Sequence, residues 1–340
     1  MKAVFIPGPK QVEVREITEP EPKDDLVVVK IMSSVICGTE HIVYEKAPIP
    51  HIVGAAGHEA AGVVWKTDKP KYIKEGDKVS IYPTTAENCL RCIHCWSGEW
   101  QRCENKTIKR SQMGTHTQYM LVPEYICLPI PDDMPFSIGA MIDDCIGTPY
   151  RAIKRMGVSG TNTVFITGAG PIGAAAAMIV KFLNCCAIVV DPNEYRLEKA
   201  KKNGADYIIN PEMDDVLARV REFTDNKGAD IALDCSGVAA AQRQCLEVVR
   251  SGGKVAFLGI RSETTSLNIP LHCILKELTI IGSWASTPQE HMEIVTLLRR
   301  GMPIENIITH KFDIYDAQTA FDTFFSGKAV KVAINLWEVE

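Results

Sequence analysis

Residues 164–180, VFITGAGPIGAAAAMIV, constrain the fold of this chain more than any other stretch. An apolar run passes into a glycine turn and then into a helical pattern, with Gly168, Gly170 and Gly173 in G-x-G-x-x-G register. One glycine makes the turn, one admits a pyrophosphate close to the backbone, and one lets helix and strand pack closely. The phosphates then sit at the helix N-terminus, beside Gly170, Pro171 and Ile172, where unsatisfied N–H groups favour anions. Such a triplet is a weak signal by itself. It gains weight because the next apolar run ends in Asp191, eighteen residues after Gly173, where an acid holds the ribose hydroxyls of a dinucleotide. A carboxylate there disfavours the extra phosphate of NADP, and the nearest basic residue, Arg196, stands five positions later, so NAD is the expected cofactor.

Further strand-like runs at 188–191, 231–234, 254–259 and 279–283 alternate with helical patterns. That alternation calls for a parallel sheet covered on both faces. Residues 1–144 have a different texture, with short apolar or alternating runs at 26–31, 62–65 and 78–82 punctuated by Pro and Gly, and they read as β-rich. After about residue 288 come a helix (291–300), a strand (309–312), a helix (315–325) and a strand (331–336). This tail is too short to stand alone and is expected to pack back onto the first domain.

Cys89, Cys92, Cys95 and Cys103 fall within the fifteen residues CLRCIHCWSGEWQRC. This spacing lets one loop wrap four thiolates around a tetrahedral ion and leaves no open position, which describes a structural zinc site; a redox-active cysteine pair is the competing reading. The other eight of the twelve cysteines are scattered, and the start MKAVFIPG lacks a basic stretch followed by an apolar core, so a reducing cytoplasm is expected. The apolar stretch 163–180 is broken by three glycines and Pro171, which makes a poor membrane span. Lys and Arg number 37 against 42 acids, with no long basic block, so neither a membrane nor a nucleic acid is an expected partner.

Two strings in the first domain carry reactive groups. Cys37-Gly38-Thr39-Glu40-His41 offers a thiol, a hydroxyl, a carboxyl and an imidazole, and Gly57-His58-Glu59 offers an imidazole beside a carboxyl. A catalytic zinc needs three protein ligands and an open position, and Cys37 and His58 suit it chemically. Either could equally be a core residue, Cys37 as a small hydrophobe and His58 as a satisfied histidine.

These strings, the four cysteines, GAGPIG and Asp191 occur in the order seen in zinc-dependent medium-chain alcohol and polyol dehydrogenases, which the whole chain resembles. The resemblance implies an α/β chain: a GroES-like catalytic domain over 1–147, completed by 288–340, beside a doubly wound Rossmann domain over 148–287, with the active site in the cleft between them. It implies two zinc ions, one structural and one catalytic, and hydride transfer between NAD and a secondary alcohol, with a polyol or sugar favoured. Cys37 and His58 take the place of catalytic zinc ligands, and Glu59 that of the adjacent acid. The remaining ligand comes from Met141-IDDCIGTPYRA, where Asp144 fits the position, with Asp143 and Cys145 as neighbours. Thr39 resembles the hydroxyl that relays the substrate proton. The relay histidine of many members falls at Ile42, while this chain has His41 one residue earlier, so the role of His41 stays open. By the same resemblance Thr148 lies under the nicotinamide, Arg196 flanks the ribose, Ser236 lines the pyrophosphate loop and Lys331 approaches the phosphates. Tyr44, His51, Trp96 and Trp284 are candidate pocket residues for the alcohol or ketone substrate. A homodimer or homotetramer is expected. Two alternatives remain, an NADH-dependent aldehyde or ketone reductase of the same fold and a non-catalytic zinc- or NAD-binding regulator.

Overall fold

The structure, a computed structural model, describes residues 1–47, 55–83, 87–107 and 114–337. The chain divides into two compact units, Met1–Gly147 with Ala285–Leu297 and Ile308–Glu340, and Thr148–Trp284 with Leu298–Ile307. The segment 298–307, expected with the tail of the first domain, belongs to the second unit. Its short turn Ile304–Ile307 packs on the helix Pro171–Phe182, with Ile304 and Ile307 fully buried.

The first unit is built on a seven-stranded sheet. Leu26–Val35 pairs antiparallel with Glu59–Lys66 and with Tyr119–Pro123, and Glu59–Lys66 continues through Lys78–Ile81 to Cys127–Pro129. Leu26–Val29 and Ile31 are all buried, as a central strand covered on both faces requires. The tail returns here: Lys331–Asn335 pairs antiparallel with Leu26–Val35 on one side and parallel with Ile308–Asp313 on the other. Phe321 and Phe324, from the helix Ala317–Phe325, join Val27, Val29, Ile31 and Val332 in one core. This sheet carries Cys37 just past the end of one strand and Glu59 at the start of its neighbour, where Val35 and Glu59 are register partners. Two ligand candidates far apart in sequence are therefore neighbours by strand pairing alone.

The second unit is a six-stranded parallel sheet in the order Tyr207–Ile209, Cys186–Val190, Thr163–Thr167, Ala229–Asp234, Val249–Phe257, Thr279–Gly282. Chain order reverses between Thr163–Thr167 and Ala229–Asp234, and the crevice past the strand ends at such a point is where doubly wound sheets bind ligands. The glycine turn and the loop after Asp234 both stand there. Three-residue Tyr207–Ile209, an edge strand, escapes a reading from periodicity because it is too short to show one. Among the described residues no helix is long and apolar enough to cross a membrane.

The glycine turn is sterically committed. Gly168 has φ +85°, and a Cβ on Gly173 would stand 1.7 Å from the Gly168 carbonyl oxygen. Gly173→Ala must push helix from strand and is expected to cost at least about 2 kcal/mol of unfolding free energy, the range of overpacked cores. Urea titration checks this; an unchanged midpoint would show that the turn can yield.

Candidate metal and cofactor sites

The four cysteines of the lobe are all free thiols. Cys103 Sγ lies 3.6 Å from Cys89 Sγ, which lies 4.0 Å from Cys95 Sγ. Zn–S bonds of about 2.3 Å in a tetrahedron give S–S edges of roughly 3.8 Å, so the thiols already have the spacing of a zinc cage. The Arg91 N–H pulls the half-buried Cys89 thiol down to about 6, while burial pushes Cys95 up to about 12. Cys95, so buried, becomes a stable thiolate only with a cation beside it.

A second cluster forms in the same unit. Ligand atoms of Cys37, His58, Glu59 and Asp144 all lie within 4.8 Å of one another, a grouping that can hold a metal ion. Asp144 Oδ2 is 3.1 Å from His58 Nε2 and 3.5 Å from Cys37 Sγ. Cys37 is buried, His58 and Asp144 are half-buried, and Thr39 is exposed with its hydroxyl 3.4 Å from Cys37 Sγ. Burial pushes the Cys37 thiol up, with the Asp144 charge adding to it. Burial likewise pushes the Glu59 carboxyl up to about 7, against the pull of Lys331. For His58 burial works the other way, but the Cys37 sulfur and the Asp144 carboxylate outweigh it and hold the ring well above its ordinary value. The cluster is short of positive charge. Glu59 Oε1 meets Lys331 Nζ at 2.6 Å, whereas buried Glu59 Oε2 has no hydrogen-bond partner. An orphaned carboxylate oxygen among a thiol, an imidazole and a second carboxylate fits a divalent cation.

Lys331, expected beside the cofactor phosphates, is instead fully buried in the first unit against Glu59. Tyr44, a candidate pocket residue, is a core residue at 4% exposure, stacked on Phe325 with its hydroxyl donating to Asp322. Trp96 and Trp284 are exposed in different units, and His51 lies outside the described residues. His41 begins the helix His41–Lys46 with Nδ1 3.2 Å from the Gly38 carbonyl oxygen.

The neighbours Asp143 and Asp144 take opposite roles. Asp143, 1% exposed, accepts from Ser80 Oγ at 2.6 Å and faces His291 Nδ1 at 3.0 Å, while Asp144 faces the metal-ligand set. A second buried histidine, His116, has Nδ1 2.7 Å from Ser34 Oγ and Nε2 3.1 Å from Glu40 Oε2, and Glu40 Oε1 accepts the Cys37 N–H at 2.9 Å. Neither His291 nor His116 lies in a recognisable motif. Each is a lone histidine among mostly polar neighbours, which gives no local signal of burial.

In the second unit Gly170 caps the helix Pro171–Phe182, with Pro171 in its first turn and Ile172 following, so the free N–H groups face out of the glycine turn. Asp191 Oδ2 accepts from Ala169 N at 2.7 Å and Oδ1 from Asn193 N at 2.8 Å, which ties the strand end to the turn. The Arg196 guanidinium reaches to 3.9 Å from where a Gly170 Cβ would stand. Ser236 closes the other side; a Gly168 Cβ would lie 3.0 Å from its Cβ, and its hydroxyl donates to Asp234 at 2.7 Å. Thr148 is buried in the first turns of the helix Gly147–Met156.

Zinc has no redox chemistry of its own, so an open zinc site in a chain with a dinucleotide turn points to a nicotinamide as the carrier of electrons and the metal as a Lewis acid. Alcohol–carbonyl oxidoreduction is the chemistry that needs both. Residues 23–132 match the alcohol dehydrogenase GroES-like domain and residues 171–300 the zinc-binding dehydrogenase domain. L-threonine 3-dehydrogenase of Chromobacterium violaceum is 32% identical over 334 residues, covering 95% of this chain and 96% of that protein. The protein of the same name from Pyrococcus abyssi is 32% identical over 337 residues, 95% of each. The structure of an alcohol dehydrogenase from Thermus sp. ATN1 superposes with a TM-score of 0.91 at 24% identity, covering 99% of this chain and 100% of that one, a likeness of fold. The chain belongs to the zinc-dependent medium-chain dehydrogenase family, and it is a zinc- and NAD-dependent oxidoreductase of alcohols.

The His291 ring is opposed by burial, yet the Asp143 carboxylate more than compensates and holds its pKa above the ordinary 6.5. A histidine raised in the folded state contributes stability in full below its unfolded value and loses it as pH rises through its folded value. Stability is therefore expected to decline above pH 6.5 on this account, and His291→Gln to flatten that limb while lowering stability by about 3–5 kcal/mol below it, the cost of a broken buried pair. Melting temperatures from about pH 6 to about pH 9 read both effects.

Proposed function

We propose that Cys37, His58 and Asp144 hold the catalytic zinc, with Glu59 as an additional, exchangeable ligand, and that the substrate is a small secondary alcohol bearing further polar groups. The single observation that carries this reading is the convergence of the four ligand atoms within 4.8 Å beside an orphaned Glu59 oxygen. Zinc held there supplies Lewis acidity to an alcohol oxygen. Thr39 takes the alcohol proton: its hydroxyl is exposed and already lies against Cys37. The His41 ring nitrogen Nδ1 lies against the Gly38 carbonyl oxygen rather than the Thr39 hydroxyl, and proton release passes from that hydroxyl to solvent. Asp191 orients the adenosine ribose, its two oxygens retaining lone pairs beyond the two backbone N–H bonds they accept. Pro171, Ile172 and Gly173 present the helix N-terminus to the pyrophosphate, with Arg196 and Ser236 at its flanks. Thr148 supports the nicotinamide.

The L-threonine 3-dehydrogenases at 32% identity make a β-hydroxy amino acid the first substrate to try, ahead of polyols and sugars. Twelve free thiols suit a reducing cytoplasm. The edge strand Thr279–Gly282, preceded by exposed Ile274 at 64% and Leu275 at 73%, suits a homodimer in which two copies of this edge pair antiparallel across a two-fold axis. A light-scattering mass of one chain would sink that assembly.

Purified protein is expected to hold two zinc ions per chain and to reduce NAD with a member of a panel of L-threonine, sorbitol and simple secondary alcohols. Cys37→Ser or Asp144→Asn is expected to lower kcat/KM at least about 100-fold, while the lobe zinc stays in place. One zinc per chain, or full turnover in both variants, would overturn the ligand assignment. Asp191→Ala is expected to erode the preference for NAD over NADP at least about tenfold, since the carboxylate that disfavours the second phosphate is gone. The ratio of kcat/KM for the two cofactors measures it.

A further inference from the structure

We propose that His291 is a positioning residue for the open metal site: with Asp143 it forms a buried clamp that fixes the turn Ile142–Ile146, so that the next residue, Asp144, faces Cys37 and His58. The inference rests on the reading of Asp144 as a zinc ligand.

The clamp is fully specified. His291 Nδ1 lies 3.0 and 3.2 Å from the two Asp143 carboxylate oxygens, and Nε2 lies 2.9 Å from the Pro129 carbonyl oxygen. Both ring nitrogens face acceptors only, so both carry protons and the ring is an imidazolium against a carboxylate. His291 is 0% and Asp143 1% exposed, so neither charge has water to fall back on. Ser80 Oγ donates to Asp143 Oδ2 at 2.6 Å, and Ser286 Oγ donates to the Asp143 backbone carbonyl at 2.9 Å. The helix that presents His291 has its own fixed start, with the Thr287 N–H on Glu290 Oε2 at 2.9 Å and the Glu290 N–H on Thr287 Oγ1 at 3.2 Å. Three side chains from two segments of the first unit, Ser80 on one and Ser286 and His291 on the other, thus grip one aspartate.

What they grip is an unusual turn. The Ile146 N–H donates to the Met141 carbonyl at 2.9 Å, five residues back, so Ile142–Ile146 is a π-turn, one residue wider than an α-turn. A π-turn that relaxes to α geometry shifts its residues by one position, roughly 100° around the axis. Of two adjacent aspartates the wrong one, or Cys145, would then face the metal. With Asp143 anchored, Asp144 Oδ2 stays 3.1 Å from His58 Nε2 and 3.5 Å from Cys37 Sγ. The clamp selects which acid becomes the ligand.

The test uses the zinc-loaded protein and reads each metal separately, with the four-cysteine zinc as an internal reference. In His291→Gln the open site is expected to lose about 10- to 100-fold in zinc affinity, the usual cost of removing a group that orients a ligand, and its cobalt-substituted spectrum is expected to change. The lobe zinc should be retained, which a general loss of structure would not allow. Wild-type affinity and an unchanged cobalt spectrum in His291→Gln would overturn the proposal. Asp144→Asn separates this from failure of the underlying reading, because undiminished affinity in that variant shows that Asp144 is no ligand. If His291→Gln does not fold, the neutral pair Asp143→Asn with His291→Gln decides: a selective loss of at least about fivefold at the open site supports the clamp, and no loss overturns it.

Discussion

The arrangement depends on a charge balance at one buried point. Cys37 as thiolate, Glu59 and Asp144 bring three negative charges to ligand atoms within 4.8 Å of one another, most of them out of water. Lys331 supplies one positive charge at 2.6 Å from Glu59, and a divalent zinc held as proposed would supply the other two. His58 as a ligand would be neutral, so the sum would be zero. Without the metal the imbalance falls on the protonation of the cluster itself, seen in a thiol pushed up by burial, Glu59 raised by burial and His58 held well above its usual value. Metal binding and proton release at such a site would therefore be one event. The tail strand Lys331–Asn335 has to return to the sheet for the sum to close, which gives the pairing of the last strand with Leu26–Val35 an electrostatic purpose beyond closing the core.

Much of this was legible in the sequence because the relevant partners are near each other along the chain. The cysteine lobe, the glycine turn with Asp191, and the strings around Cys37 and His58 are short and chemically loud, and each is also brought to a defined end of a strand or helix. What escaped reading is what depends on long-range partners. Asp143 and Asp144 are chemically identical in sequence, and only a histidine 148 positions later separates their roles. Lys331 reads as a cation near the cofactor phosphates, and its partner Glu59 is 272 positions away. Tyr44 reads as a pocket aromatic, yet the phenylalanines of the helix Ala317–Phe325 enclose it. No periodicity in a local window carries such information, because it is created when the tail folds back.

Both units solve the same problem with buried carboxylates, and they do so differently. In the first unit Asp143 meets an imidazolium and Glu59 an ammonium, so each acid is neutralised where it stands. In the second unit Asp191 and Asp234, at 6% and 0% exposure, accept hydrogen bonds instead. Asp191 takes the N–H groups of Ala169 and Asn193; Asp234 takes Thr167 Oγ1 at 3.0 Å, Ser236 N at 3.0 Å and Ser236 Oγ at 2.7 Å. Hydrogen bonds to an ionised acid are strong enough to brace a loop, but they leave its charge in place. In the proposed role of Asp191 that surviving charge is the useful quantity: it would attract ribose hydroxyls and disfavour a second phosphate. A lysine paired to Asp191 in the manner of Lys331 would brace the turn equally well and abolish the discrimination. The contrast follows from the task, since a metal site must reach neutrality whereas a cofactor-selecting site must keep a field.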